Sequence, residues 1–270
     1  MICQLHNGEA ELCDSHIIPK FVYRWMKKSG TGRLRQIKKL NTPIQDGIKT
    51  KMLCKNCEDK FSIAEKWFNE NVFTPYLENK DYIVQNNPQL LYFTVSILWR
   101  ILKLFKDDGN TYKYKDTLDS AEVEWRNFLI KNQALKGFKN LNIVLIDTDY
   151  WITEKSDLYY SRAVDIEIAE SDEICFVYAK FSRFILIGEI TGFSGKEFEN
   201  TNLATEPDFS SSNQMINHQE IFDFFRSRID NIKGYDDLSQ EQQRKNDKFH
   251  GTKNNNLENS DYKRIINKYR

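Results

Sequence analysis

The sequence predicts an α+β fold, in which a small N-terminal knuckle module precedes a mixed helical and antiparallel-sheet domain. Two short ligand pairs, Cys3-Gln4-Leu5-His6 and Cys54-Lys55-Asn56-Cys57, bracket the first sixty residues. Residues 88–133 then carry apolar side chains at helical spacing, and after residue 141 the pattern shifts to β-branched and aromatic runs separated by polar turns. The expected division is 1–70 for the knuckle module, 71–235 for an α+β domain to which no motif assigns a role, and 236–270 for a polar tail.

Within the module, residues 12–19 alternate loosely until Pro19 removes a ladder donor, so a short strand ends near His16. Phe21, Val22, Trp25 and Met26 have helix spacing and predict a short basic helix over 21–28, ended by Ser29-Gly30-Thr31-Gly32. Residues 34–40 and 48–53 read as two strands with Asp46-Gly47 as the turn between them. After the second knuckle, Phe61, Ala64, Trp67 and Phe68 form one apolar helical face. The predicted order is strand, insertion, strand, knuckle, helix.

In the larger domain Pro88 suits the first turn of a helix, and residues 90–105 are apolar nearly all round. That run contains Arg100 and Lys103 and falls short of the roughly 18 to 20 residues of a bilayer span, so it reads as a core helix. A further helix is expected over 120–133, with Ala121, Trp125, Phe128 and Leu129 inward. Residues 141–147, 150–153, 161–168, 174–180 and 184–190 predict an antiparallel meander. A polar loop over 192–213 precedes a helix over 214–229 carrying Ile216, Ile221, Phe224 and Phe225. Beyond residue 235 apolar side chains thin out, and the tail reads as flexible or as a loosely docked helix broken at Asn254-Asn255-Asn256.

Charge is balanced in total, with 39 Lys and Arg against 39 Asp and Glu. It is not balanced along the chain. Residues 17–60 hold twelve Lys and Arg against three acids, a net +9, which reads as a nucleic-acid surface or as a solvated face docking on the acidic remainder. Four of five cysteines fall in the first sixty residues, and the opening Met-Ile-Cys-Gln-Leu-His carries no charged and apolar leader pattern. Metal binding in a reducing cytoplasm is therefore expected in place of a disulfide framework. Cys3, His6, Cys54 and Cys57 can close one tetrahedral structural Zn²⁺, with Cys13 as the alternative to His6. Cys175 reads as a buried small hydrophobe, His218 and His250 as surface residues, and Glu65 as an acid supporting the site from behind or, as is commoner on a helix, a solvated charge. Residues 70–235 show no Walker loop, Ser-His-Asp arrangement or Gly-rich dinucleotide turn.

Ser15-His16-Ile17-Ile18-Pro19, followed by Leu53-Cys54-Lys55-Asn56-Cys57-Glu58, resembles the paired motifs of the HNH endonuclease family, and the resemblance covers residues 3–66. It implies an N-terminal ββα-metal (HNH-like) zinc module and a metal-dependent endonuclease that hydrolyses phosphodiester bonds in DNA. By the same resemblance His16 would be the general base and Glu58 a ligand of a catalytic Mg²⁺ or Mn²⁺. Lys20, Arg24, Arg33 and Arg35 would meet the phosphate backbone. DNA is then the expected partner. An antiphage defence setting with an ATPase or sensor partner is also implied, a homo-oligomer is left open, and no membrane partner is expected. Two departures from the family pattern stand out. Ser15 replaces the acid that usually precedes the His, with Asp14 one step further back on the opposite strand face. The Asn that braces the His ring is missing, and Asn41, Gln45 or Asp46 can replace it only if the insertion folds back. The alternative class is a zinc-stabilised, non-catalytic DNA-binding or protein-interaction subunit.

Overall fold

Pro19 marks the first boundary: strand β1 (Leu12–His16) stops short of it and helix α1 (Lys20–Lys28) starts beyond it, because Pro19 has no N–H for a ladder. The computed structural model describes residues 1–29, 34–36, 39–79, 81–106, 112–146, 157 and 159–252. The insertion continues as a hairpin of β2 (Leu34–Gln36) and β3 (Lys39–Ile44), after which β4 (Lys49–Cys54) returns to pair antiparallel with β1. His16 lies opposite Lys49 and Leu12 opposite Cys54, with a register shift at Cys13.

The strand expected over 34–40 is thus the two arms of a hairpin, and Asp46-Gly47 joins β3 to β4 without pairing them. Burial explains the choice. β4 buries Met52, Leu53 and Cys54 against the module core, whereas β3 exposes Asn41, Thr42 and Pro43. Helix α2 (Lys55–Phe68) follows at once and turns Cys57, Phe61, Ala64 and Phe68 inward at helical spacing. It runs through a π-helical turn (Asn69–Phe73) into α3 (Thr74–Glu78). The strand, insertion, strand, knuckle and helix order is as expected.

A short strand β5 (Val84–Gln85) leads to α4 (Pro88–Lys106). Asn87 caps this helix, its side-chain oxygen accepting from the N–H groups of Gln89 (2.9 Å) and Leu90 (3.1 Å), with Pro88 in the first turn. Residues 93–102 are buried on every side. Helix α5 (Lys115–Lys131) packs along α4 and stops where Asn132 turns left-handed at φ 52°.

The main sheet contains β6 (Leu141–Leu145), β7 (Val164–Glu170), β8 (Cys175–Phe181) and β9 (Phe184–Thr191), all antiparallel in the order β6-β9-β8-β7. β7, β8 and β9 form the expected meander, and β6 adds at the β9 edge with Leu141 opposite Gly188. The strand expected over 150–153 lies outside the described residues. Short strands β10 (Phe198–Glu199), β11 (Asp208–Phe209) and β12 (Met215–Ile216) make two small pairings, β10 with β12 and β11 with β5. The last of these strands takes residues 215–216, so α6 (Gln219–Asp230) begins later than expected. On α6, Phe224 meets Phe176 and Tyr178 of the sheet edge to face, at ring separations of 5.3 and 5.1 Å.

Phe68 of α2 stacks on Phe93 of α4 at 3.8 Å and meets Phe184 of β9 at 5.4 Å, so a single apolar core runs from Cys3 to Phe209 across residue 70. Helix α7 (Gln240–Thr252) docks on the insertion hairpin, where Ser239 N–H donates to Asn41 Oδ1 (2.8 Å). The Asn254 to Asn256 break lies outside the described residues. Among the described residues no helix is long and apolar enough to cross a membrane.

Candidate functional site

The first knuckle is a tight loop. Cys3 N–H donates to Gly8 O (2.9 Å) and Asn7 N–H to Cys3 O (2.8 Å), with Asn7 left-handed at φ 56°, a conformation its short polar side chain tolerates. Gln4 N–H donates to Met52 O (3.0 Å), which fastens the loop to β4 just before the second knuckle. A side chain at position 8 would put a Cβ 2.7 Å from the His6 ring, so glycine is what lets the imidazole lie back over the loop.

These constraints bring the ligand atoms of Cys3, His6, Cys54 and Cys57 within 4.8 Å of one another, the three cysteines buried and His6 exposed. His6 Nδ1 is 3.4 Å from Cys57 Sγ and 3.8 Å from Cys54 Sγ. A tetrahedral zinc with Zn–S of about 2.3 Å and Zn–N of about 2.0 Å has S···N edges of roughly 3.5 Å, which these distances bracket. The cluster can hold a metal ion such as zinc. His6, not Cys13, completes it; Cys13 sits at the register shift in β1, outside the group. All five cysteines are free thiols.

Electrostatics within the cluster are uneven. Burial alone would raise the Cys3 thiol, yet the backbone N–H groups of His6, Cys54 and Leu5 outweigh it and hold it down at about 7. Cys57 goes the other way: burial, then the adjacent Cys54 and Cys3, push it well above the ordinary thiol value. The Cys57 thiol, next to two other cysteine sulfurs, resists ionising without a cation, as a thiol ligand does before its metal binds.

His16 ends β1 with its side chain 16% exposed, and its Nε2 lies 3.1 Å from Asp46 Oδ2. The contact has the distance of a hydrogen bond but not its direction, so it is a close polar contact against the ring. Lys49 Nζ lies 2.8 Å from the same Asp46 oxygen, and Gly47 N–H donates to Asp46 Oδ1 (3.0 Å). Burial opposes ionisation of Asp46, but Lys49, His16 and the Gly47 N–H together hold its carboxyl well below the usual carboxylate range. Tyr23 of α1 backs the cluster, its ring centroid 6.3 Å from that of His16; burial and the Asp46 charge push its phenol up. Gly47 is required because a Cβ there would overlap the Tyr23 ring. Lys27 Nζ donates to Gln45 O (2.8 Å), which ties α1 to this turn. Of the three residues considered as a brace for His16, the structure brings up Asp46; Asn41 faces Ser239 instead.

Glu58 stands in the first turn of α2, half-buried, and its Oε1 is buried with no partner among the described residues. Ser15 is fully buried and its Oγ accepts from Leu53 N–H (3.3 Å), a structural role. Asp14 faces solvent in an ion pair with Lys51 (3.1 Å). Among the described residues the one group of three or more metal-type ligands is the Cys3, His6, Cys54 and Cys57 set.

Of the basic residues singled out in the sequence, Lys20 and Arg24 are exposed along α1, and Arg33 lies outside the described residues. Arg35 turns away toward α7, donating to Gln242 Oε1 (3.1 Å) and Asn246 Oδ1 (3.4 Å).

Sequence reasoning missed Arg100. From the buried helix α4 it donates to the His16 carbonyl (2.6 Å) and to Glu65 Oε1 (2.8 Å), so Glu65 is not the solvated charge expected of it. The signal was present: a guanidinium within an apolar run implies a buried acceptor. Compared with family models, curated proteins and solved structures, the chain matches none.

Proposed function

We propose that the chain is an HNH-like, metal-dependent endonuclease whose N-terminal module hydrolyses phosphodiester bonds in DNA. The observation that carries this reading is His16 at the end of β1, its Nε2 3.1 Å from Asp46 Oδ2, on the same β1–β4 ladder whose other end carries Cys54 of the four-ligand cluster. Asp46 Oδ2 beside Nε2 fixes where the His16 ring sits, and the imidazole would serve as the general base that accepts a proton from an attacking water. Cys3, His6, Cys54 and Cys57 would hold a structural Zn²⁺, and the bound ion would tie down the start of α2, which carries Glu58. The orphaned Glu58 Oε1 is a hard donor suited to Mg²⁺ or Mn²⁺, which would supply charge neutralisation at the phosphate. Lys20 and Arg24, both exposed on α1, would meet the backbone phosphates.

The test is purified protein on supercoiled plasmid with Mg²⁺ or Mn²⁺. Wild type should nick or linearise it and His16→Ala should not; equal inertness of the two overturns the enzyme reading.

A second reading is a zinc-stabilised DNA-binding or protein-interaction subunit without chemistry. It is favoured by the use of Ser15 as a buried structural acceptor where an acid would be needed, and by the pairing of Asp14 with Lys51. Salt-sensitive retardation of DNA with no cleavage in either metal would support it.

A further inference from the structure

We propose that Arg100, from the larger domain, is a positioning residue for the His16 site, which makes that site a product of both parts of the chain and not of the N-terminal module alone. The inference rests on the reading of His16 as the general base.

Arg100 sits in the middle of α4 with its side chain 1% exposed, and it spends its donors in three directions. Nε donates to Ser96 O of its own helix (3.1 Å), Nη1 to His16 O (2.6 Å) and Nη2 to Glu65 Oε1 (2.8 Å). Its guanidinium also lies over the Phe61 ring at 5.1 Å. The Nε bond fixes the guanidinium to α4, and the two Nη bonds then fix the end of β1 and the middle of α2 relative to each other. Glu65 lies two turns along α2 from Glu58. One planar side chain therefore sets the separation between His16 and the helix that carries Glu58.

The chemistry of the residue matters here. A guanidinium offers a rigid fork with two parallel directions of donation and a flat face for an aromatic ring; an ammonium is a point charge that cannot hold both partners at fixed spacing. The fork touches the His16 main chain and not its ring, so Arg100 acts on where the imidazole is, not on any reacting atom. Misplacing a base by a fraction of its contact distance lowers turnover, whereas DNA binding would rest on the exposed side chains of Lys20 and Arg24.

The experiment uses the whole 270-residue chain, zinc-loaded, and its Arg100→Lys and Glu65→Gln variants. Zinc content and melting temperature establish that each is folded. Plasmid nicking gives kcat and KM separately, and histidine-labelled NMR reports the His16 Cε1–H resonance. The expected result for Arg100→Lys is full zinc, KM within about 2-fold and kcat lower by about 10- to 100-fold, with the His16 resonance displaced and that of His6 in place. Glu65→Gln, which keeps an acceptor for Nη2 but removes its charge, should fall between wild type and Arg100→Lys. A variant with unchanged kcat and an unmoved His16 resonance overturns the proposal. If wild type itself proves inert on DNA the nuclease reading fails, and the His16 resonance still decides whether Arg100 positions the residue. Should Arg100→Lys fail to fold, the same two readouts on Glu65→Gln decide.

Discussion

His16 and Asp46 come from opposite ends of the insertion and meet at 3.1 Å, Nε2 to Oδ2. Asp46 is held in its ionised form by Lys49, His16 and the Gly47 N–H against the opposing effect of burial. A carboxyl depressed in the folded state contributes stability that is present above its unfolded value of about 3.9 and is lost as pH falls through the acid range. Asp46→Asn should therefore melt below wild type at pH 7, and the gap should begin to narrow as pH drops below about 4. Thermal melts across pH 3 to 8 check this; a gap that does not change with pH would rule the account out.

Gly47 touches the Tyr23 ring so closely that any Cβ would overlap it. Gly47→Ala must displace the ring or the turn, an overpacking cost of about 1 to 3 kcal/mol, and with it the Asp46 carboxylate. Chemical denaturation measures the stability, and a shift of the His16 ring resonance reports the lost contact.

The metal cluster predicts a graded response. His6 is its exposed member and Cys3, Cys54 and Cys57 are buried, so His6→Ala should weaken metal retention while the Cys→Ser variants lose metal and module packing together. Cys13→Ser should retain the metal at the wild-type level. Chelation should lower the melting temperature by about 10 °C or more, corresponding to several kcal/mol for a chain of this size. Elemental analysis alongside thermal melts tests each point, and a wild type that purifies without metal and melts identically with chelator contradicts it.

In the sheet, Glu189 is 8% exposed and accepts from Asn142 Nδ2 at 2.8 Å. Burial is the largest influence on its carboxyl and raises it to about 6, only partly offset by hydrogen bonds to Asn142 and Asn140. Because the folded value lies above the unfolded one, its favourable contribution is complete below about 4.3 and is lost as pH rises through about 6. Glu189→Gln should consequently gain up to about 2 kcal/mol on wild type at pH 8 and nothing at pH 4. Urea melts at the two pH values decide.

Phe68 and Phe93 stack at 3.8 Å across residue 70, which joins the knuckle module to the sheet domain in one core. Phe68→Ala should cost about 3 to 5 kcal/mol and lower a single unfolding transition. Two separate transitions by calorimetry would show that the two parts unfold independently.

What the sequence alone determined was local or periodic. The knuckle spacing named Cys3, His6, Cys54 and Cys57, and the α+β character followed from the long apolar run of α4, the helical spacing in α5 and the β-branched and aromatic runs of β7 to β9. Pro19 and Pro88 set boundaries because proline acts on its immediate neighbours whatever the rest of the chain does. What only the tertiary structure decided was anything that required the insertion to return or the two parts to meet. Asn41, Gln45 and Asp46 were equivalent as candidates until β3 delivered the Asp46-Gly47 turn to His16. The pairing of β4 with β1 and not β3, and the addition of β6 at the β9 edge, depend on which faces are buried, a property of the assembled core. Arg100 and Glu65 each read locally as an interruption or a solvated charge. They become a pair at the His16 carbonyl only because α2 and α4 pack together, and hydrogen bonding between residues 35 and 84 positions apart leaves no local pattern to read.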